Sequence, residues 1–175
     1  MKTTIGKLIT AGMMCFALMA HAETVTPSDA EIFGILAAAN TGEIQAAEIA
    51  AQKATHPEIK QFAQQMQSEH TAMNKESTEL AGKLGLKSKE SATSKMLTKK
   101  SQADLKKLRE LKGAEFEEEY VGDQVLMHKL VLETIENVLI KSADNQELKT
   151  LLTQAQGKVA SHLEHARQLD KKYDK

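Results

Sequence analysis

The residues of this chain best suited to chemistry are Glu43, His70, His128 and His162, because each interrupts a helical stripe that is otherwise apolar. Glu43 falls between Ile32, Leu36, Ala39 and the pair Ala46, Ala50. His70 falls between Ile59, Ala63, Met66 and Met73, Ser77, Leu80. His128 sits between Val121, Val125 and Val131, Ile135, Leu139, and His162 between Leu152, Ala155, Val159 and Ala166, Leu169. Residues three and four apart share one face of a helix, so all four polar groups belong to buried faces. Imidazole and carboxylate suit zinc, copper, iron or nickel, and the set has the right size for a tetrahedral or open site. One transition-metal ion held by Glu43, His70, His128 and His162 is the cofactor these residues predict. The competing reading is a polar core network, in which the four groups satisfy one another and fix helix register.

The elements that must position them are helices. Ala, Leu, Lys, Glu and Gln dominate, only two prolines are present and aromatics are 3% of the chain, a balance that favours helix over sheet. Pro27-Ser28-Asp29-Ala30-Glu31 predicts a capped start for a first helix reaching about Thr55. His56-Pro57 opens a second, which Gly85 stops. A third core helix runs from about Ala114 to Ser142, and a fourth follows the Ala143-Asp144-Asn145 turn. Between the second and third lies a Ser/Lys-rich, partly helical stretch, about 87–113, whose stripe of Leu105, Leu108 and Leu111 is thin. It reads as a crossover that lets two core helices run parallel, so the fold class is all-α, a four-helix bundle. At about 1.5 Å per residue, Glu43, His70 and His128 lie roughly 15 to 20 Å from one end of the bundle, and His162 within about one turn of them.

Other candidates carry less. His165 lies off the stripe of His162, Glu69 and Asp123 lie off the inward faces, and Met66, Met73, Met96 and Met127 read as core filler. The chain holds no G-x-S-x-G, Gly-rich phosphate loop or HExxH, so no catalytic residue is predicted and the reading leans away from an enzyme.

Lys2 and Lys7, the apolar run Leu8 to Met19 and Ala20-His21-Ala22 form a secretory signal peptide, residues 1–22, cleaved after Ala22. The mature domain, 23–175, is then expected in the periplasm, where outer-membrane association is compatible with the sequence, and it contains no transmembrane segment. Cys15 is the only cysteine and leaves with the signal, which excludes thiolate metal sites, cysteine nucleophiles and disulfides. Charges of both signs are interspersed about a net −1, with no basic patch carrying aromatics, so nucleic acid is not an expected partner. The sequence specifies no protein partner.

Several short patterns occur together and in order: Glu43-Ile44, Lys53-Ala54, Ile59-Lys60-Gln61-Phe62-Ala63 with Met66 and Glu69-His70. They continue with Phe116-Glu117-Glu118-Glu119-Tyr120, His128, and the run from His162-Leu163 through Ala166 to Leu169. In these residues the chain resembles the bacterial family known as domain of unknown function 4142, exported proteins assigned to the ferritin-like helical superfamily. The resemblance spans essentially the whole mature chain and implies a ferritin-like bundle, with no established activity attached. The residues three before His70, His128 and His162 are Gln67, Val125 and Val159, so the Glu-x-x-His pairs of di-iron carboxylate proteins are missing. A mononuclear site fits better than a di-iron centre. Three functions follow from these residues: a periplasmic metal-binding or stress-related module, a structural or interaction module of the cell envelope, and a metalloenzyme with an open coordination position.

Overall fold

The computed structural model describes residues 26–173; the stretch expected to be a signal peptide, 1–22, with Cys15, lies outside the described residues. Helix α1 (Asp29–Lys53) begins where the Glu31 carboxylate accepts hydrogen bonds from the Ser28 backbone N–H, at 3.0 Å, and the Ser28 hydroxyl, at 2.7 Å. This is the reach-back that Ser-x-x-Glu predicts. Helix α2 (Pro57–Lys83) has its proline in the first turn, where a missing N–H costs nothing. It stops at Gly85, which takes φ +67° and lets the Leu86 N–H return to the Ala81 carbonyl at 2.9 Å.

The crossover forms helix α3 (Ala92–Glu110) and packs along α1. Its stripe is thin, yet Leu97, Leu105 and Leu108 are all buried, because α1 offers most of the face they need and Leu108 also packs with Phe116 and Tyr120. Two glycines set the approach. A Cβ on Gly34 would lie 2.0 Å from the Lys89 carbonyl oxygen, and one on Gly42 would lie 2.2 Å from Ser101 Oγ. The far end is fastened by Lys53, whose Nζ donates to the carbonyls of Leu108 at 2.7 Å, Arg109 at 3.0 Å and Leu111 at 2.5 Å. A cation there satisfies carbonyls that the end of a helix leaves without partners.

Helix α4 is α-helical over Gly113–Thr134, passes through a π-helical turn at Ile135–Leu139 and ends in Ile140–Ser142. Helix α5 (Gln146–Tyr173) is started by the Asn145 side chain, which accepts from the N–H groups of Glu147 and Leu148. The Asp29 carboxylate accepts from the N–H groups of Asp144 and Asn145, tying this turn to the start of α1.

The result is an all-helical bundle in which α1, α2, α4 and α5 surround the core and α3 lies outside α1. Short turns make α1 and α2 antiparallel, and likewise α4 and α5, while the crossover makes α2 and α4 parallel. The apolar core falls into two parts. One gathers Ile32, Phe33, Leu36, Ile135, Leu139, Leu148 and Leu152. The other gathers Ala50, Ile59, Phe62, Met66, Phe116, Tyr120 and Leu169. Between them, along every core helix, stands one of the polar residues singled out by the sequence. Among the described residues no helix is long and apolar enough to cross a membrane.

Candidate metal centre

The layer between the two apolar clusters holds Asn40 and Glu43 from α1, His70 from α2, Gln124 and His128 from α4 and His162 from α5, all buried. Each helix contributes at the level where its stripe crosses from one cluster to the other, so agreement in depth follows from helix lengths and turn positions. The three imidazoles form a nearly equilateral triangle: ring centres are 5.5 Å apart for His70 and His128, 5.2 Å for His70 and His162, and 5.3 Å for His128 and His162. One nitrogen of each lies within 4.8 Å of one nitrogen of the others, close enough to share an ion.

The outer hydrogen bonds determine which nitrogen is free. His128 Nδ1 is 2.9 Å from the Gln124 carbonyl, which can only accept, so Nδ1 carries the proton and Nε2 keeps its lone pair. His70 Nδ1 is 2.9 Å from Asn40 Oδ1 and donates to it, which leaves its Nε2 lone pair free as well. These two Nε2 atoms are 3.4 Å apart. Two acceptors at that distance repel unless something positive lies between them. His162 Nε2 donates to Glu69 Oε2 at 2.8 Å, and its Nδ1 is buried without a hydrogen-bond partner. All three rings thus have one nitrogen held by an acceptor outside the triangle and one lone pair left over, the arrangement that orients histidine toward a metal.

Burial lowers the pKa of His70 well below its ordinary value, helped by the neighbouring His128 and His162, and burial also lowers that of His162 despite Glu69. Both rings are therefore neutral at neutral pH, the form that binds metal. A sign follows for stability. A histidine whose pKa is lower in the folded than in the unfolded chain takes up a proton on unfolding, so its contribution is complete above about pH 6.5 and is lost as the pH falls below that. In metal-free protein these two rings are expected to lower the melting temperature between pH 7 and pH 5, against the opposite push of Asp123, whose carboxyl pKa is raised by burial to about 6, and replacing His70 with Gln should remove part of the histidine contribution. Thermal melts at a series of pH values read both; an unchanged slope in the variant would mean that another group causes it.

Glu43 stands in the same layer but outside the histidine triangle. Its Oε2 accepts from Gln124 Nε2 at 2.7 Å, and its charge, after burial, helps raise the pKa of Tyr120. The structure therefore groups three of the four predicted ligands and holds the fourth through Gln124. Glu69, placed off the inward face by the sequence, reaches His162 from a partly exposed position. Asn40 and Gln124 were not singled out, although each has a visible signal: Asn40 lies three residues before Glu43 and Gln124 four before His128, on the same faces. His165 packs edge-on against Phe62, at 4.9 Å between ring centres, and stays outside the group.

The family model described as Domain of unknown function (DUF4142) matches residues 17–169. The chain belongs to this family. No curated protein and no solved structure matches it. The family match spans α1 to α4 and most of α5, and so includes every residue of the polar layer. Its description assigns no activity, which leaves the geometry of the triangle to support a functional reading.

Proposed function

We propose that this protein binds one transition-metal ion in the middle of its bundle, through His70 Nε2, His128 Nε2 and His162 Nδ1, as an exported metal-binding module. The observation that carries the reading is the pattern of hydrogen bonds: Asn40, Gln124 and Glu69 each hold the other ring nitrogen, leaving three lone pairs on adjacent imidazoles. Three imidazole ligands suit zinc and copper, as well as nickel and iron(II). A purely structural layer would need His70 Nε2 to donate to His128 Nε2, with Asn40 presenting its amide N–H to His70 Nδ1. It would still leave His162 Nδ1 buried and unpaired, at a cost of about 1–3 kcal/mol. Export is supported by the basic, apolar and A-x-A sequence of residues 1–22.

Calorimetric titration of the untagged mature chain with Zn²⁺, Cu²⁺ and Ni²⁺ tests the reading. One equivalent of at least one of these ions is expected to bind. In Glu69→Gln the amide still accepts from His162 but no longer supplies a negative charge to the ring, and affinity should fall about 10- to 100-fold. Absence of binding to wild type would leave the polar layer as a structural network and overturn the proposal. Mass spectrometry of chain isolated from the cell envelope tests export in the same preparation; Glu23 is the expected first residue and intact Met1 would refute it.

A further inference from the structure

Three histidines leave a metal ion short of four ligands, and what lies beside the triangle determines what can complete the shell. A cavity of about 40 Å³ adjoins His70 and His128. One ordered water needs roughly 10–15 Å³ on the same kind of measure, so this space takes a molecule of two or three heavy atoms and excludes an ordinary metabolite. Its walls are mostly hydrocarbon, from Leu36, Ala39, Met73, Val131, Ile135 and Ala155. Ile135 is the first residue of the π-helical turn of α4. Such turns recur at functional sites, where the extra residue shifts a helix face locally.

The charge on the wall narrows the ligand class further. Glu43 lines the inner wall and Lys158 only the mouth, so an anion drawn in by the ion would still shed its hydration among apolar side chains and meet a carboxylate beside the ligands. A neutral molecule meets neither cost. The same cavity is bordered by the exposed Glu76 of α2 and by Gln154 and Lys158 of α5, so it reaches the surface between these helices.

We infer that the ion's open coordination position faces this apolar chamber and takes a neutral diatomic ligand there, with nitric oxide as its experimental probe. The inference rests on the metal-binding reading, and the experiment keeps the two apart. Full-length mature protein is loaded with Co²⁺ without oxygen and titrated with nitric oxide, and in parallel with azide, while the visible absorption of the cobalt is followed. Metal-free protein is exposed to xenon, and the NMR shifts of the Ala39 and Ala155 methyl groups are followed. Nitric oxide should change the cobalt spectrum, azide should do so far less, and xenon should shift both methyls. Ala155→Leu fills the chamber and should weaken the nitric oxide response at least about tenfold with Co²⁺ affinity unchanged. Ala39→Val serves the same purpose if the first variant does not fold. Failure to take up Co²⁺ would overturn the metal reading and this inference with it. Cobalt uptake without a nitric oxide response, a response to azide alone, or no xenon shift would overturn this inference and leave metal binding standing.

Discussion

In His128→Gln, affinity for the bound ion is expected to fall about 100-fold or more, while the helical circular dichroism stays that of wild type. The size follows from what is removed. Outer partners of a ligating histidine are worth about 10- to 100-fold in affinity, and His128 supplies one of only three ligand nitrogens. Glutamine retains a comparable shape and an amide that can meet the Gln124 carbonyl, so the buried layer keeps its packing. The unfolded chain does not hold three imidazoles in a triangle, so excess metal stabilises the folded wild type by RT ln(1 + [L]/Kd), about 4 kcal/mol at 1,000 times Kd. The variant should lose most of that gain at the same metal concentration. His56→Gln is the control for affinity, because His56 lies at the start of α2, outside the triangle. Calorimetry on the three proteins, with melts in metal and in chelator, reads both effects. Equal affinity in wild type and His128→Gln would exclude His128 as a ligand and with it the tris-histidine site.

Stripe periodicity placed the histidines on buried faces, and counting rise per residue brought them to one level, because both depend only on regular helix geometry. The crossover was legible for the same reason: a chain that ends α2 at one end of the bundle and starts another descending helix at the other must cross its full length. What the sequence could not supply was rotation about each helix axis. A turn of a few tens of degrees determines whether Glu43 joins the imidazoles or faces Gln124, and side-chain packing sets that angle rather than periodicity. Glu69 shows the same limit, since a residue on the flank of a face can still reach His162 with a flexible side chain. The π turn at Ile135–Leu139 breaks no residue pattern, and Val131, Ile135 and Leu139 read equally well as a continuous α-helix.

Glu117→Ala is expected to destabilise the fold by about 3 kcal/mol, a larger loss than any single surface charge should produce. Glu117 is buried at the start of α4, where the sequence shows three successive glutamates between Phe116 and Tyr120 and nothing to set the first apart. Its Oε1 accepts from the Thr55 N–H at 2.6 Å, the Thr55 hydroxyl at 3.0 Å and the His56 N–H at 2.8 Å, while its Oε2 lies 2.5 Å from His56 Nδ1. These groups belong to the turn between α1 and α2, and His56 caps α2 without using its own side chain to do so. A carboxylate from another helix therefore does the capping, with its charge at the positive end of the α2 dipole. Burial pushes the Glu117 pKa upward, but the bonds from His56 and Thr55 outweigh it and the net effect is a lowered pKa. Its contribution is thus complete above the usual carboxylate range and is lost only as the pH falls below about 4.5, well under the histidine window. Alanine strands two backbone N–H groups and unties α4 from the α1–α2 hairpin. Glu117→Gln keeps an oxygen for those N–H groups and should lose about 1 kcal/mol. Urea melts at pH 7 distinguish the two variants, and metal affinity in Glu117→Gln should match wild type because the residue lies a full helical segment from His128. Equal, small losses in both variants would mean that the turn holds its shape without Glu117.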